Sequence, residues 1–335
     1  MENDIIKIEK CPIPIVWLDT SIITNLCIYK NTTDKLQKIA RGRLGKLYNL
    51  VYTYGRAGKI ICPLADQEIE VWLGRAAWLD TINKLSLGIN CVSLKEIEDN
   101  QFYKAMEAYI KNKKDINLSY KDIFYEDPVD ELKEILSQPI YVALNSEIIF
   151  GAEYHRKKKH DLINELNARR ERNVNNKVFF VQQLESEIMG GIDALIKMTE
   201  DFFSGKTKDE EDNFNSFWGT VNLSDKLRYW NSLNSKNHSN KGLLSFYKSK
   251  YYSSLPYVHL TCSLFAKIMT DPQPIRSGDP MDIQHISTLM PFSDLFITDK
   301  AWSVFLKQKN YNHKYRTKVC YIGNMDEIER FFANL

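Results

Sequence analysis

The chain has 335 residues, 44% hydrophobic and 26% charged, proportions that exclude a wholly disordered, fibrous or membrane-embedded protein and suit one large domain with an insertion, or two domains. Lys and Arg total 45 against 43 Asp and Glu, so the net charge of +2 is too small to announce nucleic-acid binding globally, and any such surface must be local. No run approaches the ~20 apolar residues of a membrane span, and the acidic MENDIIKIEK start lacks a basic n-region, so a cytoplasmic protein with no membrane partner is expected.

In chain order, Ile13 to Leu18 (IPIVWL) is a β-rich apolar run that stops at Asp19, Thr20 and Ser21, where a helix-like stretch begins. Lys59 to Leu64 (KIICPL) repeats the pattern and leads into ADQEIEVWLGRAAWL, whose Ile69, Trp72, Leu73 and Ala76 recur at helical spacing. Near the end, Asp294 to Thr298 (DLFIT) and Lys318 to Ile322 (KVCYI) predict two buried strands followed by the helices AWSVFLKQ and MDEIERFFANL. Strands alternating with helices imply a largely parallel α/β sheet.

Residues 85–255 differ in texture, with long helical patterns and few strand signals, and read as a helical insertion between 1–84 and 256–335. Val181, Leu184, Ile188, Ile192, Leu195 and Phe202 predict the buried face of one long helix, in which Gly190-Gly191 marks either a break or a close crossing. Lys206 to Asn215 and Leu233 to Lys241 read as polar loops. The six cysteines form no C-x-x-C pair and fit reduced thiols.

Four carboxylates, Asp19, Glu68, Asp282 and Asp299, stand where a strand ends or a helix begins. In an open parallel sheet the functional crevice lies outside the carboxyl ends of the strands, which is where Asp19, Glu68 and Asp299 are expected to converge. Clustered carboxylates raise one another's pKa unless a cation neutralises them, and hard oxygen donors select Mg²⁺ or Mn²⁺. Plain structural roles are also open to each. Asp19 can cap the helix starting at Ser21; Glu68, with Asp66 as the alternative ligand, can complement a helix dipole; Asp279 at N-cap, Pro280 at N1 and Asp282 at N3 make a helix start. Asp299 can be a turn residue, and Asp294 can cap or orient from its strand's start.

The segments IVWLDTS, ICPLADQEIE, GDPMDIQHIS and DLFITDKAW, carrying those four acids in order, together resemble the PIN-domain nucleases. The resemblance covers about residues 10 to 80 and 257 to 335, and the interval from Glu68 to Asp282 is far longer than in compact members. It implies a three-layer α/β/α core with a central parallel sheet, split by the helical insertion. It further implies metal-dependent phosphodiester hydrolysis, with Asp19, Asp282 and Asp299 as principal ligands and Glu68 as ligand or water-orienting base. Thr20, Ser21, Asp279, Asp294 and Thr298 would surround them. Single-stranded RNA is the substrate class implied ahead of DNA. A toxin or defence role follows from the same resemblance, with a regulatory partner or self-association acting through the insertion.

Gly151 to Arg172 holds seven basic residues, Arg156, Lys157, Lys158, Lys159, Arg169, Arg170 and Arg172, against four acids, and is either a phosphate-tracking helix or a solvated face. The aromatics around Phe214, Phe217, Trp218, Tyr229 and Trp230 read as core of the insertion. His285 is expected to be a packed or surface residue. P-loop, dinucleotide-binding, zinc-protease and nucleophile-elbow motifs are all missing from the sequence. Two rivals stay open: a non-catalytic scaffold that docks a partner, and a structure-specific DNA nuclease.

Overall fold

A computed structural model describes residues 5–65, 77–138, 152–204, 213–233 and 240–335. Its strands are β1 (Ile6–Glu9), β2 (Val16–Leu18), β3 (Ile116–Ser119), β4 (Leu295–Ile297) and β5 (Lys318–Cys320). The helices begin with α1 (Thr20–Asn31), α2 (Lys35–Ala40), α3 (Gly42–Arg56), α4 (Ala77–Ser86), α5 (Leu94–Ile110) and α6 (Pro128–Ser137). They continue with α7 (Ala152–Asn175), α8 (Phe180–Phe203), α9 (Asn213–Leu233), α10 (Asn240–Tyr247) and α11 (Lys250–Ser253). The last are α12 (Pro256–Thr270), α13 (Asp279–Leu289), α14 (Lys300–Gln308), α15 (Tyr311–Lys314) and α16 (Met325–Ala333). The fold is mixed α/β and mainly helical.

The chain divides into two compact units. One, the sheet unit, comprises residues 8–97, 119–158 and 284–335; the other, the helical unit, comprises 1–7, 98–118 and 159–283. The expected insertion, 85–255, is therefore shared between them, because Asn90, Cys91 and Phe124 bridge into the sheet.

In the sheet unit β2, β4 and β5 run parallel in the order β2-β4-β5, with Leu18 opposite Ile297 and Ile297 opposite Cys320. Single bridges extend the array from Ile15 to Ile61, from Leu64 to Asn90 and, antiparallel, from Cys91 to Phe124. KIICPL, expected as a strand, thus pairs only at Ile61 and Leu64. Both faces are covered, which is why these strands read as unbroken apolar runs. Val16, Leu18, Leu295 and Ile297 face one layer with Ile22, Leu26, Leu47, Val51 and Phe332. Trp17 faces the other way, its ring 6.4 Å from that of Phe296 and 5.6 Å from that of His285 on α13.

In the helical unit α12 lies along α8. The core is aromatic: Phe102 and Phe246 meet edge to face at 5.4 Å, and Tyr247, Tyr252 and Trp230 close around them. Trp230 is buried in the interior as expected, whereas Tyr229 is half-buried and packs on Tyr103. Phe214, Phe217 and Trp218 fall where side chains are not described; of the expected loops Lys206 to Asn215 and Leu233 to Lys241, residues 206–212 and 234–239 lie outside the described residues, and the rest belong to α9 and α10.

Helix α8 corrects two expectations. Ile192 is buried and Leu184, Ile188 and Leu195 are half-buried, but Val181, in the first turn of the helix, is 62% exposed. The Gly190-Gly191 pair neither breaks the helix nor admits a close neighbour, since a Cβ at either position would meet nothing within 4 Å. Replacing either glycine by alanine is therefore expected to stabilise this unit by about 1 kcal/mol, through the backbone entropy glycine forfeits in a helix. Denaturant unfolding of Gly190→Ala and Gly191→Ala checks this, and a loss of stability would mean that the backbone at the pair is not regular helix.

Candidate active site

Taking only the strands of the large sheet, the first lies at Ile15 to Leu18, the second and third pair at Ile61, Leu64 and Asn90, and the fourth and fifth are β4 and β5. The spatial order is therefore 3-2-1-4-5, and it reverses between β2 and β4. At such a point the loops leaving the two carboxyl ends diverge to opposite faces and open a crevice. Asp19 follows β2 directly and Thr298-Asp299 follow β4.

The Asp19 carboxylate is buried, with 2% of the residue exposed. Its backbone N–H donates to Ile297 O at 2.9 Å, continuing the β2–β4 ladder by one step. The Thr298 hydroxyl, itself buried, donates to Asp19 Oδ2 at 3.0 Å, and the Thr20 backbone N–H donates to Oδ1 at 2.8 Å. Asp19 is also the N-cap of α1, as the structural alternative required. Ser21 is exposed, and its hydroxyl is 3.5 Å from Asp19 Oδ2. The Thr20 hydroxyl is buried without a hydrogen-bond partner, one residue from the carboxylate.

Asp299 is half-buried and caps α14, accepting from the Trp302 N–H at 2.9 Å. The structure thus brings together Asp19, Thr298 and Asp299 on adjacent strand ends. Glu68 and its alternative Asp66 lie outside the described residues. Asp282 sits in the first turn of α13, and that turn counts with the helical unit, whereas Asp19 and Asp299 belong to the sheet unit.

One supporting position is corrected, and a second takes the structural role open to it. Asp279 is not the N-cap before a helix at Pro280: α13 begins at Asp279 itself. Its carboxylate turns back to Arg276, accepting from the Arg276 backbone N–H at 2.7 Å and from Nε and Nη2 at 3.0 and 2.7 Å. Both guanidinium donors converge on Oδ1 while Oδ2 takes the backbone N–H, so both carboxylate oxygens are engaged by Arg276. Asp294 lies at the amino end of β4, a strand length from Asp299, where it accepts from the Ile15 N–H at 2.8 Å. Burial raises its pKa, and it clamps the sheet rather than reaching the crevice. Nearby, Lys10 donates to Ser293 O at 2.6 Å, and burial lowers its ammonium to about 8.

The expected basic groove also changes. Arg170 is buried, and its guanidinium donates to the carbonyls of Asp271 and Pro272 at 3.1 and 2.9 Å, satisfying the C-terminal end of α12, so it is unavailable to phosphate. Arg169 pairs with Glu187 at 3.2 Å, while Arg172 stays exposed. Arg156, Lys157, Lys158 and Lys159 lie where side chains are not described. Among the described residues no group of three or more His, Cys, Asp or Glu converges on a metal-sized point. No described helix is long and apolar enough to cross a membrane. All six cysteines are free thiols, five of them buried, and burial pushes Cys11, Cys27 and Cys62 up to about 12, which keeps them unreactive.

No family model, no curated protein and no solved structure matches the chain.

Proposed function

We propose that the sheet unit is a PIN-like core and that the protein is a Mg²⁺- or Mn²⁺-dependent nuclease, acting on single-stranded RNA in preference to DNA. One observation carries the reading: a buried carboxylate, Asp19, and a second, Asp299, leave adjacent parallel strands at the point where the strand order reverses. The donor set fits a hard cation, since Mg²⁺ is commonly held by one or two carboxylates with water completing its shell. Asp19 and Asp299 would hold the ion, with Glu68 as a further candidate. The ion supplies Lewis acidity and neutralises charge on the scissile phosphate.

The remaining work falls to the chain's own groups. The Thr298 hydroxyl fixes one carboxylate oxygen of Asp19, so the ligand need not reorganise when phosphate arrives. The buried Thr20 hydroxyl and the exposed Ser21 hydroxyl stand at the N-terminus of α1, where a phosphate oxygen is favoured by the helix dipole.

Both acids also cap helices, the one feature that favours a non-catalytic scaffold. Asparagine caps a helix as well as aspartate does, so Asp19→Asn and Asp299→Asn separate the readings. Labelled single-stranded RNA and DNA would be incubated with Mn²⁺, Mg²⁺ or EDTA. Each substitution is expected to lower metal-dependent cleavage by roughly a hundredfold or more, with thermal stability retained. Cleavage that survives both substitutions, or no cleavage with any metal, would leave the scaffold.

A further inference from the structure

Residues 30–46 carry six basic side chains, Lys30, Lys35, Lys38, Arg41, Arg43 and Lys46, against one acid, Asp34, for a net charge of +5 in a chain of net +2. Asp34 is engaged as the N-cap of α2, accepting from the Leu36 and Gln37 N–H groups at 2.8 and 3.3 Å. Lys46 pairs with Glu329, and Lys30 lies over the Tyr48 ring. Among the described residues none of Lys35, Lys38, Arg41 and Arg43 has an ion-pair partner.

A solvated basic face would explain those four, but not what they surround. Every residue of α2 is exposed, and Leu36 and Ile39, one turn apart on the same side, are 76% and 77% exposed. Leaving each aliphatic side chain in water forgoes about 1.5 to 3 kcal/mol of burial. An occupant must therefore be anionic and also present apolar faces. A protein partner would need about 800 Å² of surface, more than a six-residue helix offers. Membrane docking grows with buried apolar area, and one and a half turns with two aliphatic residues supply little of it. Single-stranded nucleic acid meets both demands, with phosphates for the cations and unstacked bases for the aliphatic pair.

The position agrees. Asp19 caps α1, whose 12 residues rise about 18 Å, and only Thr32 to Asp34 separate that helix from α2 within the same unit. We propose that α2 and its flanks dock single-stranded nucleic acid, phosphates meeting Lys35, Lys38, Arg41 and Arg43 and bases packing on Leu36 and Ile39. The proposal rests on the nuclease reading of the Asp19 site for its choice of polyanion.

The test is fluorescence anisotropy of a labelled single-stranded RNA with the full chain in EDTA, where cutting cannot intervene. Lys35→Glu/Lys38→Glu and Leu36→Ser/Ile39→Ser alter exposed positions and should leave the fold intact. Each pair is expected to weaken binding tenfold or more. The charge pair should also flatten the salt dependence by about one unit of slope or more, and the aliphatic pair should leave that slope unchanged. Affinity unchanged in both variants overturns the docking surface, even if RNA is cleaved in an Asp19-dependent manner. Binding through α2 without cleavage under any metal sustains docking and defeats the nuclease reading. Capture by phosphatidylglycerol vesicles through α2, with no oligonucleotide binding, overturns the proposal in favour of a lipid surface.

Discussion

Between pH 6.5 and pH 4 the sheet unit is expected to lose about 3 kcal/mol of stability through one residue, His285. Its ring is wholly buried against Trp17, both nitrogens lack a hydrogen-bond partner, and burial alone lowers its pKa from 6.5 to about 4. The unfolded chain takes up the proton first as pH falls, so the contribution is intact above 6.5, declines below it and is fully lost below about 4. A difference near 2.5 units, at about 1.4 kcal/mol per unit, gives the magnitude. His285→Phe keeps a ring in place and removes the titration. At neutral pH it should be as stable as the parent or more so, because a buried unpaired polar group is removed. Its advantage should widen by about 3 kcal/mol at pH 4 in denaturant unfolding. Parallel pH profiles for the two proteins would sink the idea.

Lys226→Met is expected to destabilise the helical unit by about 3 to 5 kcal/mol. Lys226 Nζ sits 2.6 Å from Asp99 Oδ1 with both side chains largely removed from water, and the ammonium lies 5.2 Å from the Phe102 ring centre. Removing the cation takes away the charge partner 2.6 Å from a largely buried Asp99, and that penalty exceeds what the pair itself contributes. Asp99→Asn/Lys226→Met should recover most of the loss. Hydrogen exchange of α5 and α9 reports it locally, and a double-mutant cycle with no coupling would show that the pair acts independently.

The strands that flank the candidate site were legible because they are buried on both faces. IVWL and the LFI of DLFIT are unbroken apolar runs with an acid close behind, and Val16–Leu18 and Leu295–Ile297 formed within those bounds. Asp19 and Asp299 were legible for the same reason. The sheet's outer part was harder to see, since Ile61, Leu64, Asn90 and Phe124 join it by single bridges that leave little periodicity. Arg170 misled because a basic run records charge and not direction: its guanidinium turns inward to carbonyls at the end of α12, more than a hundred residues away. The basic α2 segment was countable in the sequence, but its significance depends on the exposure of Leu36 and Ile39, which only tertiary packing decides. His285 likewise carries no local mark of burial.

The hydrogen bond from Thr298 to Asp19 spans 279 residues, and so does the β2–β4 pairing beneath it. For a flexible chain, closing that loop costs roughly 2 kcal/mol more than closing one of 20 residues. Timing follows from the same separation. At about 5 to 20 residues per second, Asp19 waits roughly a quarter of a minute to a minute on the ribosome before Thr298 is even made. Strand β2 therefore leaves the ribosome long before β4, the neighbour it pairs with, so this part of the sheet, with the Thr298–Asp19 hydrogen bond above it, forms late in synthesis.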